Sequence, residues 1–377
     1  MRAAVVGGGP AGAMLAFHLA RDGAQVTLFD HSHPREKPCG GGFTPRALDL
    51  LPPAPDDDPL PVRLVRSCRF DSGAGDSVEL QLPRPVGIGS RRLVDAWLLR
   101  RARQAGARHV AERVTVVKPG VLRTTSGREE RFDLLAGADG ASSLVRRTFV
   151  GPLPATRLAM AAGWFARGDA EMVVRFTPGL DGYLWLFPRP DHVGVGICAP
   201  LASVPTRQML ARLEAEVSRA FPALVDHEAE RYAHLIPSPT ADPASILEIA
   251  GPGFALVGDA AALADPITGE GIYFALRSAA ILADTLRAGG SPAAYAARAY
   301  EECGRDLVTA AALRRRFFAP GFTARMVRYA RRSAAIRRVL ADLVLGDQGY
   351  VRLKRRLVRA LPAFVCDMAG SLGPRAR

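Results

Sequence analysis

Arg2-Ala3-Ala4-Val5-Val6-Gly7-Gly8-Gly9-Pro10-Ala11-Gly12 stands at the start of the chain, and Gln25-Val26-Thr27-Leu28-Phe29-Asp30 follows after one short helix's length. Residues 3–6 are an apolar run that reads as a buried strand. Residues 13–21 carry helical periodicity, Gly23 ends that helix, and residues 25–29 form a second strand closing at Asp30. The turn between them satisfies G-x-G-x-x-G. Gly7 permits the tight turn, Gly9 lets a pyrophosphate approach the backbone, and Gly12 lets the helix pack on the strand. The helix N-terminus offers free N–H groups and a favourable dipole to phosphate; Pro10, which has no N–H, and Ala11 begin its first turn. Asp30, eighteen residues beyond Gly12, is placed to accept from ribose hydroxyls. This is a dinucleotide site, and the motif alone does not choose between NAD and FAD.

Outward from this unit, residues 34–45 form a Pro- and Gly-rich loop and a short helix runs to Leu51. The stretch 52–61, with five prolines and Asp56-Asp57-Asp58, is a surface excursion. Residues 62–82 read as a hairpin, with strands 65–70 and 78–82. Helix returns over 92–104, and short strands lead to residues 134–138. Residues 157–198 look strand-like, a helix covers about 205–220, and residues 254–257 look like a buried strand. Beyond Gly271 the pattern is helical, beginning with a helix over 272–286. The expected fold class is α/β: a discontinuous Rossmann-like domain, an antiparallel β-sheet substrate domain and a C-terminal helical region. The expected division is 1–64, 87–154 and 247–295 for the dinucleotide domain, 65–86 (a hairpin) and 155–246 for the substrate domain, and 296–377 for the helical region.

The chain has 377 residues, 48% hydrophobic and 23% charged, enough to bury a sizeable core, which excludes a disordered chain. Cys39, Cys68, Cys198, Cys303 and Cys366 are scattered, with no Cys-x-x-Cys pair, so neither a disulfide framework nor a structural zinc site is expected. No metal constellation appears, and none of the seven histidines lies in a recognised motif. There is no membrane-spanning apolar run and no signal peptide, so a cytoplasmic location is expected. The net charge is +13, and only Lys37, Lys118 and Lys354 among 50 basic residues are lysines. Residues 310–359 hold fourteen of the basic residues against Asp342 and Asp347. Basic C-terminal helices of this kind attract phosphates or an anionic membrane surface, so peripheral membrane contact is an expectation. No nucleic-acid motif accompanies them, and nucleic acid is not an expected partner.

Two later segments choose the cofactor. Leu135-Ala136-Gly137-Ala138-Asp139-Gly140-Ala141-Ser142-Ser143-Leu144-Val145-Arg146 resembles the Asp-Gly segment of flavin-dependent hydroxylases. Ala255-Leu256-Val257-Gly258-Asp259-Ala260-Ala261 resembles their second flavin segment, in which the Asp meets the ribityl chain. The resemblance implies non-covalent FAD, and Arg91 matches a family arginine near the cofactor. Three stretches narrow it further. Arg35-Glu36-Lys37-Pro38-Cys39-Gly40-Gly41-Gly42 resembles the K-P-C-G-G-G loop of the geranylgeranyl reductase family, within the p-hydroxybenzoate hydroxylase-like flavoproteins. GDAAALADPITGEG, residues 258–271, resembles that family's GDAAG-x-x-D-P-x-x-G-E-G segment, with Ala262 where glycine is usual. Residues 178–188 resemble its Y-x-W-x-F-P motif.

The resemblance implies cofactor contacts from Lys37, Cys39, Gly40, Gly41, Arg91, Asp139, Gly258, Asp259, Pro266, Gly269 and Gly271. It implies substrate contacts from Tyr183, Trp185 and Phe187, which recur at spacing two and so share one strand face. Cys198 replaces the second glycine of a G-x-G, so the substrate wall is expected to differ there. Cys39 is a candidate proton donor, a steric gate or a small buried side chain. The implied activity is reduction of prenyl C=C bonds by hydride from reduced flavin N5. The alternative is an FAD-dependent monooxygenase (hydroxylase, epoxidase or halogenase) acting on a specialised metabolite, against which no W-x-W-x-I-P segment of the tryptophan-halogenase type is present. Electrons would come from NAD(P)H or a reduced ferredoxin-like protein.

Overall fold

The structure is a computed structural model and describes residues 1–370. Its first layer is a six-stranded sheet in the order Ala250–Gly251, Phe254–Leu256, Leu134–Gly137, Arg2–Val6, Gln25–Phe29, Arg108–Val110. All its pairings are parallel except that of Ala250–Gly251 with Phe254–Leu256. Arg2–Val6 and Gln25–Phe29 each bury four consecutive residues, as strands covered on both faces must. The helices Pro10–Arg21, Arg91–Gln104 and Ile272–Arg287 pack together in this layer around a core that includes Leu15, Leu98 and Leu282. Three strands end on chemistry-bearing turns: Arg2–Val6 at Gly7, Leu134–Gly137 at Ala138-Asp139, and Phe254–Leu256 just before Gly258-Asp259. Parallel pairing puts all three turns at one sheet edge, the carboxyl ends where α/β sheets bind ligands.

The second layer is an eight-stranded sheet in the order Tyr232–Pro237, Leu158–Ala166, Val193–Pro200, Tyr183–Pro188, Val173–Phe176, Val62–Asp71, Ser77–Gly89, Gly42–Phe43. It departs from the expected antiparallel sheet at one pairing: Val173–Phe176 runs parallel to Val62–Asp71. About a hundred residues separate these two strands in sequence, so no tight turn dictates their relative direction. Gly42–Phe43 joins this sheet's edge, so the first segment of the chain contributes to both sheets.

The hairpin strands are also longer than 65–70 and 78–82. Pro83 and Pro85 read as breakers, yet they fall in a register shift, where Val65 pairs with Val86 and Ser67 with Gln81. No ladder N–H is required from them there. Thr206–Ala220 covers the outer face through Met209, Leu213 and Val217 at intervals of four. A three-stranded sheet (Val114–Lys118, Val121–Thr124, Glu129–Arg131) stands apart. The C-terminal region folds as Pro292–Ala299, Arg305–Phe317, Phe322–Arg332, Ala334–Leu345 and Tyr350–Gly370, with Phe322–Arg332 and Ala334–Leu345 resting on Ser77–Gly89.

Candidate functional site

A cavity of about 760 Å³ lies between the two layers. Gly7, Gly9, Pro10 and Ala11 line it at one end, with Asp139 and Asp259 from the two neighbouring strand ends. Gly7 adopts φ +108°, and a Cβ on it would stand 2.3 Å from the Ala138 carbonyl oxygen. A Cβ on Gly12 would stand 1.8 Å from the Gly7 oxygen. Gly12 and Gly258 lie behind the cavity as packing positions, Gly258 with its Cβ site 2.9 Å from the Ala11 methyl. Gly9 is different. A Cβ on it would meet only the His33 ring, with Nε2 at 3.6 Å, and an Arg91 nitrogen at 4.0 Å, so its face is open toward two basic groups.

Asp30 reaches the cavity, but its carboxylate is already saturated. It accepts from Gly8 N at 2.6 Å, Ser32 N at 2.6 Å, His33 N at 2.8 Å and His33 Nδ1 at 2.8 Å. The expected free acceptor is therefore the anchor of the 30–33 turn. His33, which belongs to no motif, bridges two carboxylates, with Nε2 at 3.4 Å from Asp95. Burial alone would lower the His33 pKa, but its hydrogen bond to Asp30 and the neighbouring Asp95 carboxylate outweigh burial and raise it. The same contacts hold Asp30 well below the usual carboxylate range despite its burial. Arg91 is a buried residue, gripping Asp95 through two bonds of 2.9 and 2.8 Å. The phosphate loop is thus faced by a buried Arg–Asp–His–Asp chain.

Beside Asp259 in the cavity lining, Lys37 Nζ stands 3.1 Å from its carboxylate. Burial would raise the Asp259 carboxyl, but the Lys37 ammonium holds it low. His234 also lines the cavity, its Nε2 buried without a partner, and burial and Lys37 keep it neutral. Asp139 lines the cavity and accepts from Leu144 N at 2.6 Å, ordering the turn into Leu144–Phe149. Cys39, Gly40 and Gly41 line the cavity as well. Their loop is held by Arg189, a fully buried residue absent from the sequence reading, which pairs with Glu36 and donates to the Cys39 carbonyl. The Cys39 sulfur itself accepts from Gly41 N at 3.3 Å.

Opposite, Asp265 accepts from Ile267 N at 2.7 Å and Thr268 N at 2.9 Å, closing the turn that brings Gly269 and Gly271 to the cavity. Glu270 anchors that turn to Thr44 and Arg46. Pro266 faces an adjoining cavity of about 230 Å³, and its carbonyl accepts from Arg314 Nε at 2.9 Å.

The eight-stranded sheet forms the other wall. One row across its strands reads His234, Ala161, Cys198, Tyr183, Phe176. The next reads Tyr232, Gly163, Gly196, Trp185, Val174, Phe70. Facing pairs share a side of the sheet, so Tyr183, Trp185 and Phe187 do line one face, and all three border the main cavity. Gly196 makes room for the Trp185 indole, which a Cβ there would meet at 2.1 Å. Phe187 packs over Gly40, whose Cβ site is 2.5 Å from the ring. Cys198 borders the smaller cavity instead of the main one, and burial pushes its thiol up to about 11, so it stays protonated. Beyond Trp185 the main cavity continues as an apolar arm along Phe70, Val86, Phe176, Phe317 and Val344.

This geometry has known counterparts. The family model for an FAD binding domain matches residues 1–54. A geranylgeranyl diphosphate reductase of Rhodobacter capsulatus is 32% identical over 328 residues, covering 80% of this chain and 76% of that protein. The chain belongs to the geranylgeranyl reductase family of FAD-dependent oxidoreductases. A geranylgeranyl bacteriochlorophyll reductase-like protein of Thermoplasma acidophilum shares the fold, with a TM-score of 0.76, 20% identity, and coverage of 95% of this chain and 98% of that one. A flavin-dependent brominase does too, with a TM-score of 0.73, 18% identity and coverage of 95% and 99%. For a geranylgeranyl reductase family member, the residues fit FAD on structural grounds: an open Gly9 face beside basic groups, and a cavity running unbroken from it to the Gly269–Gly271 turn.

Proposed function

We propose that this protein reduces carbon–carbon double bonds of a prenyl chain held in the main cavity. The observation that carries the reading is continuity: one cavity joins the phosphate loop, the Gly269–Gly271 turn, the Tyr183/Trp185/Phe187 wall and the apolar arm. FAD, when bound and reduced, supplies the hydride. Gly7 to Gly12, with Arg91 and His33 nearby, would hold its phosphates, and Asp259 and Lys37 its middle. An isolated alkene offers no polar handle, so the protein's part is to hold the chain against the flavin in a water-poor slot. Trp185, Tyr183 and Phe187 do this. Cys39 stands by the ring end as the candidate proton donor. In this reading, segments 1–64, 87–154 and 247–295 form the FAD domain and the electron donor is NAD(P)H or a ferredoxin-like protein. The reading also places the protein in the cytoplasm, in peripheral contact with membrane. Among the described residues, no helix is long and apolar enough to cross a membrane.

The test is anaerobic incubation of dithionite-reduced protein with geranylgeranyl diphosphate, followed by mass spectrometry. Gain of two hydrogens per bond with flavin reoxidation supports the proposal. Unchanged substrate, with a flavin that is reoxidised only when air enters, refutes it in favour of oxygen-using chemistry on the same scaffold.

A further inference from the structure

The last helix, Tyr350–Gly370, has two faces that require different surroundings. Its inner face is satisfied by the protein. Tyr350 is buried with its hydroxyl 3.3 Å from Asp265, Leu353 packs with Ile267 and Phe317, Phe364 stacks edge-on with Tyr329 at 5.3 Å, and Asp367 accepts from Ser333 Oγ at 2.7 Å. The outer face is left to its environment. Val351, Val358 and Val365 are 56%, 62% and 56% exposed and recur every seven residues. At about 20° of drift per heptad Val351 and Val358 fall in one line, with Leu357 and Leu361 flanking it on one side, and Val365 carries the exposed apolar face on past Pro362.

On the other side of that line Arg352, Arg355 and Arg359 follow helical spacing. None of the three has a carboxylate partner among the described residues, whereas Arg356 is paired with Asp342. An exposed apolar line bordered by unpaired cations is the arrangement of a helix lying in a bilayer interface, apolar side down and cations at the headgroups. Lys354, within the apolar side, has a stem long enough to keep its charge in the headgroup layer. A second copy of this chain is a poor occupant. Pairing two apolar lines would bring both arginine rows together, in a protein of net charge +13.

We propose that the outer face of Tyr350–Gly370 docks this protein on anionic phospholipid bilayers. The helix packs on Arg305–Phe317 and Ala334–Leu345, whose Phe317 and Val344 line the apolar arm of the main cavity. The docked helix therefore covers the two helices that supply the arm's Phe317 and Val344, which would bring the arm close to a membrane-resident chain. This purpose rests on the proposed prenyl substrate; the docking itself does not.

The experiment is co-sedimentation of the FAD-loaded protein with vesicles of phosphatidylcholine alone or with about one-third phosphatidylglycerol, across a salt series. Binding is expected only to the anionic vesicles and should fall as salt rises. The triple variant Arg352→Gln, Arg355→Gln, Arg359→Gln should bind about 100-fold more weakly, at about fivefold per charge removed. The double variant Val358→Asp, Val365→Asp should lose binding with its flavin content unchanged. The proposal is overturned if the unaltered protein ignores anionic vesicles, if either variant binds as well as it does, or if Val358→Asp, Val365→Asp abolishes a dimer instead. Docking without alkene reduction would refute the proposed activity alone, and turnover of detergent-dispersed substrate without docking would refute this inference alone.

Discussion

Two glycines of the phosphate loop separate cofactor binding from folding, because a methyl group meets different surroundings at each. At Gly12 the new Cβ would lie 1.8 Å from the Gly7 oxygen and 3.1 Å from the Ala138 methyl. An ordinary carbon–oxygen contact is about 3.3 Å, so the helix would have to retreat by about 1.5 Å from the loop. Overpacking of that kind costs about 1–3 kcal/mol. Gly12→Ala should therefore lower the thermal midpoint by several degrees and weaken FAD together. At Gly9 nothing lies closer than 3.6 Å, and the backbone, at φ −72° and ψ −175°, suits alanine. Gly9→Ala should fold normally. Its methyl would occupy the space a phosphate needs and forfeit a charge-assisted hydrogen bond worth about 1.5–3 kcal/mol, or about 10- to 150-fold in Kd. Titrating FAD into the two apoproteins by flavin fluorescence, beside thermal melts, checks both. Wild-type FAD affinity in Gly9→Ala would refute the placement of the phosphates at this loop. An unchanged melting point in Gly12→Ala would refute the packing role assigned to Gly12.

Three more outcomes follow from other parts of the site. Burial pushes the Asp265 carboxyl up to about 6, against about 3.9 in an unfolded chain, so the stability linked to its protonation is present below about pH 4 and is lost as pH rises to 6. The shift corresponds to about 3 kcal/mol. Asp265→Asn keeps an acceptor for Ile267 and Thr268, so it should melt higher than wild type at pH 7 and no higher at pH 4; an equal difference at both pH values would exclude the titration. Ala262 sits at φ 58° and ψ 35°, a left-handed conformation that costs a non-glycine residue about 1–2 kcal/mol. Ala262→Gly should raise the melting point slightly, after the entropic cost of glycine is subtracted, and a fall would contradict the strain. Gly196→Ala should drive the Trp185 indole into the cavity, raising KM for a prenyl substrate with flavin content intact; unchanged KM would show that Trp185 does not set the cavity wall.

What could be read from the chain in advance depended on whether the physics was local. Residues 2–30 announce themselves because each requirement of a phosphate loop, from the apolar strand to the turn glycines and the acid at the second strand's end, lies within one continuous stretch. Tyr183, Trp185 and Phe187 were legible for the same reason, since a spacing of two fixes a shared face. His33 and Arg189 were not. His33 gains its meaning from Asp95, sixty-two residues on, and Arg189 from Glu36 and Cys39, about 150 residues back. The turn at 30–33 accounts for His33's place in the chain but not for its link to Asp95, and Arg189 stands at no spacing that marks a turn, a cap or a helix face. Asp30 shows the cost of reading one end of an interaction. It stands at the strand end and borders the cavity, but the donors on its carboxylate, from Gly8 of the phosphate loop and from its own turn at Ser32 and His33, were not legible from its position alone.

The parallel pairing of Val62–Asp71 with Val173–Phe176 belongs to the same class of long-range facts, and it has a consequence for the cavity. That pairing places Phe70 opposite Val174 and continues the Trp185 row into the hairpin. The row then runs from Gly163 through Gly196, which lies beneath the indole, to larger apolar side chains along the arm. The indole fills the space over Gly196, and the residues beyond it are apolar, so this face offers a flexible chain a flat aromatic floor and an apolar arm to extend along. Because Trp185 stands where that arm begins, Gly196→Ala should leave FAD bound while blocking the chain, the separation expected if one cavity holds two different molecules.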